Sequence, residues 1–174
     1  DAHPIGIGRS LEGIGDEQRR VYERIIQGPR GSVPSPFLAM LDVPDLADAI
    51  QEVGARIRFA GNLSDADREL AILATAASVG CGYEWHYHAP IAEKAGLERE
   101  AIDATRSGIK PDAETARWAM LIRFCEAVVR DRTASDTQLA EIIALVGRQG
   151  ASELIAICGY YALLASFIMI GKHD

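Results

Sequence analysis

Apolar positions along the chain recur every three or four residues. No run alternates apolar with polar as a half-buried strand would, so the pattern predicts an all-helical protein. The spacing places one helix at 16–28, ending at Gly28-Pro29, and another at 44–60, opened by Pro44, whose fixed φ suits a first helical turn. Between them, 31–36 reads as a loop, because two prolines and two serines do not sustain a helix. Ser64, with Asp67 three residues on, caps a helix that runs to Gly80. Gly80-Cys81-Gly82 then breaks the chain before a helix at 83–95, stopped by Gly96. Two helices joined by so short a connection must lie antiparallel. Further helices are expected at 98–107, 112–131, 135–147 and 152–171, with Ser135 and Gln138 repeating the capping pattern. Trp118, Leu121, Ile122, Cys125, Val128 and Val129 make one apolar stripe; Leu139, Ile142, Ile143 and Val146 make another.

Length and composition bound this picture. At 174 residues and 48% hydrophobic content the chain is expected to form one helical domain, 16–174, with a core of its own. The Gly-rich segment 1–15 is expected to be a loose, flexible arm. It opens Asp1-Ala2-His3-Pro4, without Met or a signal pattern, which points to a missing or processed N-terminus. With 25 acidic against 18 basic side chains, and no basic run longer than Arg19-Arg20, neither nucleic acid nor an anionic membrane is an expected partner. Three cysteines, at 81, 125 and 158, show neither zinc spacing nor a disulfide framework, which fits a reducing, cytoplasmic setting. No charge falls between Leu154 and Ile170, close to the length of a membrane span, yet Gly159, Tyr160, Tyr161 and Ser166 interrupt that stretch. It reads instead as a helix buried on every side, most easily by association with copies of the same chain.

The residues that carry chemistry lie between Arg68 and His88. At 100° per residue, Glu69 falls inside the arc of Leu70, Ile72, Leu73, Ala76 and Ala77, where a carboxylate is costly unless something pairs with it. On the next helix Cys81, Glu84 and His88 share a face with Ile91, Ala92 and Ala95, while His86 and Glu93 point away. Glu84 and His88, at i and i+4, can touch, and Glu69 should approach them and Cys81 across the antiparallel hairpin. Two neighbouring carboxylates do not both ionise easily, so one is expected to hold a proton that the imidazole accepts or relays. Cys81 at a helix N-terminus favours its thiolate. The plainer alternative is a buried Glu-His pair that serves only as structural cement. Glu84 and His88 also have metal-compatible spacing, but a His-Glu-x-x-His order is absent and no metal is expected. Cys125 and Cys158 read as core residues, Tyr83, Trp85 and Tyr87 as a pocket wall or an interface, and Pro90 as the cause of a kink. Cys-Gly-Tyr occurs at both 81 and 158, but the flanking residues do not align, so chance is the better explanation.

The run Arg68-Glu69-Leu70-Ala71-Ile72-Leu73, followed by Cys81-Gly82-Tyr83-Glu84-Trp85-x-x-His88-x-x-x-Ala92 and Ala95-Gly96-Leu97, resembles the carboxymuconolactone decarboxylase and alkylhydroperoxidase-D-like superfamily. The likeness is strong over the hairpin and looser over about 35–172. It implies an all-α, antiparallel helical bundle of the alkylhydroperoxidase-D-like type, oligomeric as trimers or hexamers. The hydroperoxide-reducing members carry Cys-x-x-Cys-x-x-x-His after a helix Glu. Glu69, Cys81 and His88 fall on that pattern, but Glu84 stands where the second Cys would be, which leaves at most a one-Cys peroxidase that needs an external thiol. The decarboxylases carry Glu-x-x-x-His, which Glu84 and His88 match, and need no cofactor because the lactone substrate is its own electron sink. Where those enzymes tend to carry an Arg two residues after the His, this chain has Pro90, so Arg68, Arg56 and Arg123 become the candidates for recognising an acid. The resemblance therefore implies a cofactor-independent lyase or isomerase acting on a small lactone or carbonyl acid. Glu69, Cys81, Glu84 and His88 are its catalytic candidates, and Arg68, Tyr83 and Trp85 its substrate-binding candidates. A one-Cys hydroperoxide reductase and a non-catalytic helical oligomer are the alternatives.

Overall fold

The computed structural model describes residues 3–172, so residues 1–2 of the expected arm and 173–174 of the expected domain lie outside the described residues. Among the described residues there is no strand. The helices are α1 (Asp16–Gln27), α2 (Ser35–Ala39), α3 (Pro44–Phe59), α4 (Asp65–Ser78), α5 (Gly82–Lys94), α6 (Arg99–Ser107), α7 (Arg117–Asp131) and α8 (Asp136–Gly171). The chain divides into two compact units: residues up to Gly61 together with those from Leu164 onward, and Asn62–Leu163.

In the first unit α1 packs on α3 and buries Val21, Ile25 and Ala47. Surface ion pairs run along this contact, Arg20 with Asp45 at 2.9 Å and Arg24 with Glu52 at 2.7 Å; exposed pairs of this kind contribute little. The stretch expected as a loop at 31–36 ends inside a helix, because α2 starts at Ser35 and is buried throughout. Proline is tolerated in a first turn, where no backbone donor is required, so the prolines here open a helix rather than prevent one. The described part of the Gly-rich segment forms no regular element. Hydrogen bonds tie it down: Gly6 N–H donates to Asp42 at 2.8 Å, Ile7 N–H to the Leu38 carbonyl at 3.0 Å, and Arg9 to the Ser35 hydroxyl at 2.9 Å. Gly6 has φ 69° with the Leu38 carbonyl pressed against it, leaving no space for a side chain.

The second unit is organised around α4, which packs against α5, α6 and α7. A helix surrounded in this way must be apolar on most of its faces, and Leu70 to Ala76 are all buried. Ser64 caps it as expected, its hydroxyl accepting the Asp67 N–H at 3.1 Å, a contact worth about 1 kcal/mol. Arg117 at the start of α7 grips Asp67 with both guanidinium nitrogens, at 2.6 and 2.8 Å. The Glu153 carboxylate accepts the N–H groups of Asn62 at 2.7 Å and Leu63 at 3.0 Å, fixing the approach to α4. At its far end α4 closes with a left-handed Gly80 (φ 71°), the Gly80 N–H donating to Ala77 and the Cys81 N–H to Ala76. This closure reverses the chain within three residues and lays α5 antiparallel along α4.

Two expectations need correction. The helix expected over 112–131 begins as a 3-10 turn, Pro111–Ala113, and α7 starts only after Ala116, which is extended at φ −61° and ψ 144°. The expected gap at 148–151 is helical; the break is Gly147 alone, at φ 75° and ψ 172°. The charge-free stretch after Leu154, expected to be covered with the help of copies of the same chain, is partly covered within one chain. Leu154, Ile157, Cys158 and Tyr161 are buried, whereas Ile155 is 47% exposed and Ile170 62%. By length and composition α8 passes for a membrane span, but half of its most apolar window is covered by the protein itself.

Candidate active site

The antiparallel α4–α5 hairpin places Glu69, in the middle of the α4 apolar arc, opposite the face of α5 that carries Glu84 and His88. All three side chains are buried, at 1%, 4% and 2% exposure. His88 Nδ1 lies 2.7 Å from Glu69 Oε2, and His88 Nε2 lies 3.3 Å from Glu84 Oε2. Each ring nitrogen therefore faces a different carboxylate. Arg68, one residue before Glu69, pairs with Asp65 at 2.9 Å and places its other terminal nitrogen 3.6 Å from Glu69 Oε1. Its Nε is buried without a hydrogen-bond partner.

Burial, the largest single influence on His88, disfavours the imidazolium. The hydrogen bonds from Glu69 and Glu84 and their charges act the other way and together prevail, so the His88 pKa is raised above its ordinary value. The two carboxylates thus make the ring between them a better holder of a proton than a free imidazole.

Of the sequence candidates, Glu69, Glu84 and His88 come together as expected and His86 faces away, exposed. Cys81 is the N-terminal cap residue of α5 and is buried. It lines a cleft of ≈ 320 Å³ shared with Ala76, Ser78, Trp85 and Arg106, which none of Glu69, Glu84 and His88 enters. Tyr83 stacks on Tyr87 with centroids 6.3 Å apart, and Tyr87 in turn approaches the His88 ring at 5.1 Å. Trp85 packs beside Leu73, Ala92 and Ile102. Cys125 and Cys158 are core residues, the Cys158 thiol donating to the Cys125 carbonyl at 3.9 Å. Pro90 sits within an unbroken α5.

Sequence reasoning missed Tyr161 of α8, whose ring stands edge-on to His88 at 5.4 Å and 89°. Its only signal is the pair Tyr160-Tyr161 in a stretch that is otherwise almost wholly apolar. Arg106 was missed as well, since nothing in the sequence distinguishes it from other surface arginines. Among the described residues, no group of three or more acidic, His or Cys side chains has the arrangement of a metal site.

A helical hairpin that holds an imidazole between two buried carboxylates carries the groups that acid–base chemistry needs. Residues 44–127, which contain the whole α4–α5 hairpin, match the Carboxymuconolactone decarboxylase family and, through it, the alkylhydroperoxidase-D-like superfamily. That match points, at family level, to a decarboxylase or alkylhydroperoxidase-D-like enzyme. No curated protein matches the chain.

Proposed function

We propose that the chain is a cofactor-independent lyase or isomerase, carboxymuconolactone decarboxylase-like, acting on a small lactone or carbonyl acid through a Glu69–His88–Glu84 proton relay. The observation that carries this reading is the His88 ring, held at one nitrogen by Glu69 at 2.7 Å and touched at the other by Glu84 at 3.3 Å. The short contact fixes the ring and keeps Nδ1 protonated; the longer one leaves Nε2–H the more easily released proton. When the carbon–carboxylate bond of an unsaturated lactone acid breaks, carbon dioxide leaves and the electron pair passes into the ring as a dienolate. The Nε2 proton of His88 then adds to carbon, and solvent reprotonates the imidazole. Glu84 orients the ring, and Glu69 serves as a second acid or as the group that sets its tautomer. Arg68, with a buried donor to spare, is the residue for the substrate acid group, and Tyr83, stacked on the Tyr87 that touches His88, supplies an apolar wall from α5. The assembly in this reading is a trimer or hexamer, supported by the apolar side chains that α8 leaves exposed, Ile155, Leu163, Met169 and Ile170.

A second reading, a one-Cys hydroperoxide reductase, is favoured by one observation: Cys81 lines an open cleft. Its thiolate would attack the peroxide oxygen, releasing an alcohol and leaving a sulfenic acid. An external thiol would convert that acid to a mixed disulfide with loss of water, and a second thiol would restore Cys81. Cys81→Ser separates the readings. Lactone turnover is expected to stay within about threefold of the unmodified protein, because the relay does not pass through sulfur. Complete loss of lactone turnover, measured by initial rates of carbon dioxide release, would count against the relay; loss of peroxide reduction with turnover intact would leave it standing.

A further inference from the structure

The cleft beside Cys81 has a second feature that the relay does not use. It is lined by the small residues Ala76, Ala77 and Ser78 of α4 together with Trp85 of α5 and Arg106 of α6. The Arg106 guanidinium lies over the Trp85 ring, 4.5 Å from its centroid. The indole is itself fixed, because Trp85 Nε1–H donates to the Thr105 hydroxyl at 2.9 Å, and that hydroxyl donates to the Ile102 carbonyl at 2.7 Å. Arg106 thus rests on a plate that does not rotate, with one face partly stripped of water. Among the described residues it makes no ion pair, and the acid nearest to it on α6, Asp103, faces Arg99 at 3.6 Å. A cation held in place, left without a counter-charge and facing a cavity of ≈ 320 Å³ is arranged for an anionic ligand rather than for stability.

We propose that this cleft binds the carboxylate of a small organic acid, with Arg106 as the recognising cation and Trp85 as the residue that positions it. The small side chains of α4 leave room for the body of the acid, and Cys81 is part of the lining. The site is separate from the relay, since neither carboxylate of the relay nor His88 lines it, and it stands whichever reaction His88 serves.

Two alkylating reagents of nearly the same size test it on the full chain. Iodoacetate and iodoacetamide differ by a carboxylate against a neutral amide. Each forms a sulfur–carbon bond with loss of iodide, and the Cys81 peptide is followed by mass spectrometry beside those of the core residues Cys125 and Cys158. The ratio of iodoacetate to iodoacetamide rates at Cys81 is expected to be about fivefold higher in the unmodified protein than in Arg106→Gln. Arg106→Lys should recover part of that difference, and about 1 M salt should abolish it. Arg106 is exposed, so these variants retain the fold, which circular dichroism checks. An equal ratio in the unmodified protein and Arg106→Gln would overturn the proposal, as would a Cys81 that neither reagent labels, because the cleft would then not admit a small acid.

Discussion

His88→Gln is expected to lower the rate of lactone decarboxylation by about 10²- to 10⁴-fold, the range that a positioned general acid supplies. Glutamine fits the space and keeps hydrogen-bonding groups toward Glu69 and Glu84, but it has no titratable proton to deliver. The loss should fall on kcat and leave KM nearly unchanged, because His88 contributes in the transition state and not to ground-state binding. If the Glu–His cluster were only structural cement, His88→Gln would lower the melting temperature and leave turnover within a factor of about ten. Initial rates of carbon dioxide release, set beside a thermal melt, distinguish the two.

Glu69→Gln is expected to cost about 3 kcal/mol at pH 6, and that cost should shrink as the pH rises. Glu69 is the closer of the two acceptors for His88 and also faces Arg68. Its removal leaves both cations short of a partner. The direction with pH follows from His88. Its pKa is raised in the folded protein, because the bonds and charges of Glu69 and Glu84 outweigh burial. The stabilisation from the charged ring is therefore fully present below the unfolded value of about 6.5 and is lost as the pH climbs through the folded value. Above that point the unmodified protein has a neutral ring and has already lost what the substitution removes. Urea denaturation of both proteins at several pH values between about 6 and 9 should show the two stabilities converging. A difference independent of pH would contradict the assignment of the buried charge to His88.

The hairpin was legible because two independent periodicities met in it. Glu69 broke an apolar arc on one helix, Cys81, Glu84 and His88 shared a face on the next, and a Gly-Cys-Gly turn too short for any other geometry joined them. The order of contacts was not legible. Periodicity put all four side chains together without showing that His88 would stand between the carboxylates, with one nitrogen toward each, while Cys81 lined a separate cleft. Tyr161 was missed for a different reason: it meets His88 from α8, more than seventy residues along the chain, and no local pattern encodes so distant a contact. The errors in the fold were local. Prolines at 34 and 36 were read as preventing a helix that they in fact begin, and the gap expected at 148–151 is wider than the single non-helical residue, Gly147. The apolar stretch 154–170, read as covered through copies of the same chain, keeps an exposed apolar face on α8 in the single chain.

The central claim is that Glu69 and Glu84 hold a proton on His88 more firmly than water does. A pH titration by nitrogen-15 NMR of the histidine side chains in the full chain, with His88→Gln to assign the signal, tests it without any substrate. The account predicts a His88 midpoint above that of an unperturbed imidazole. A midpoint at or below the unperturbed value would contradict it.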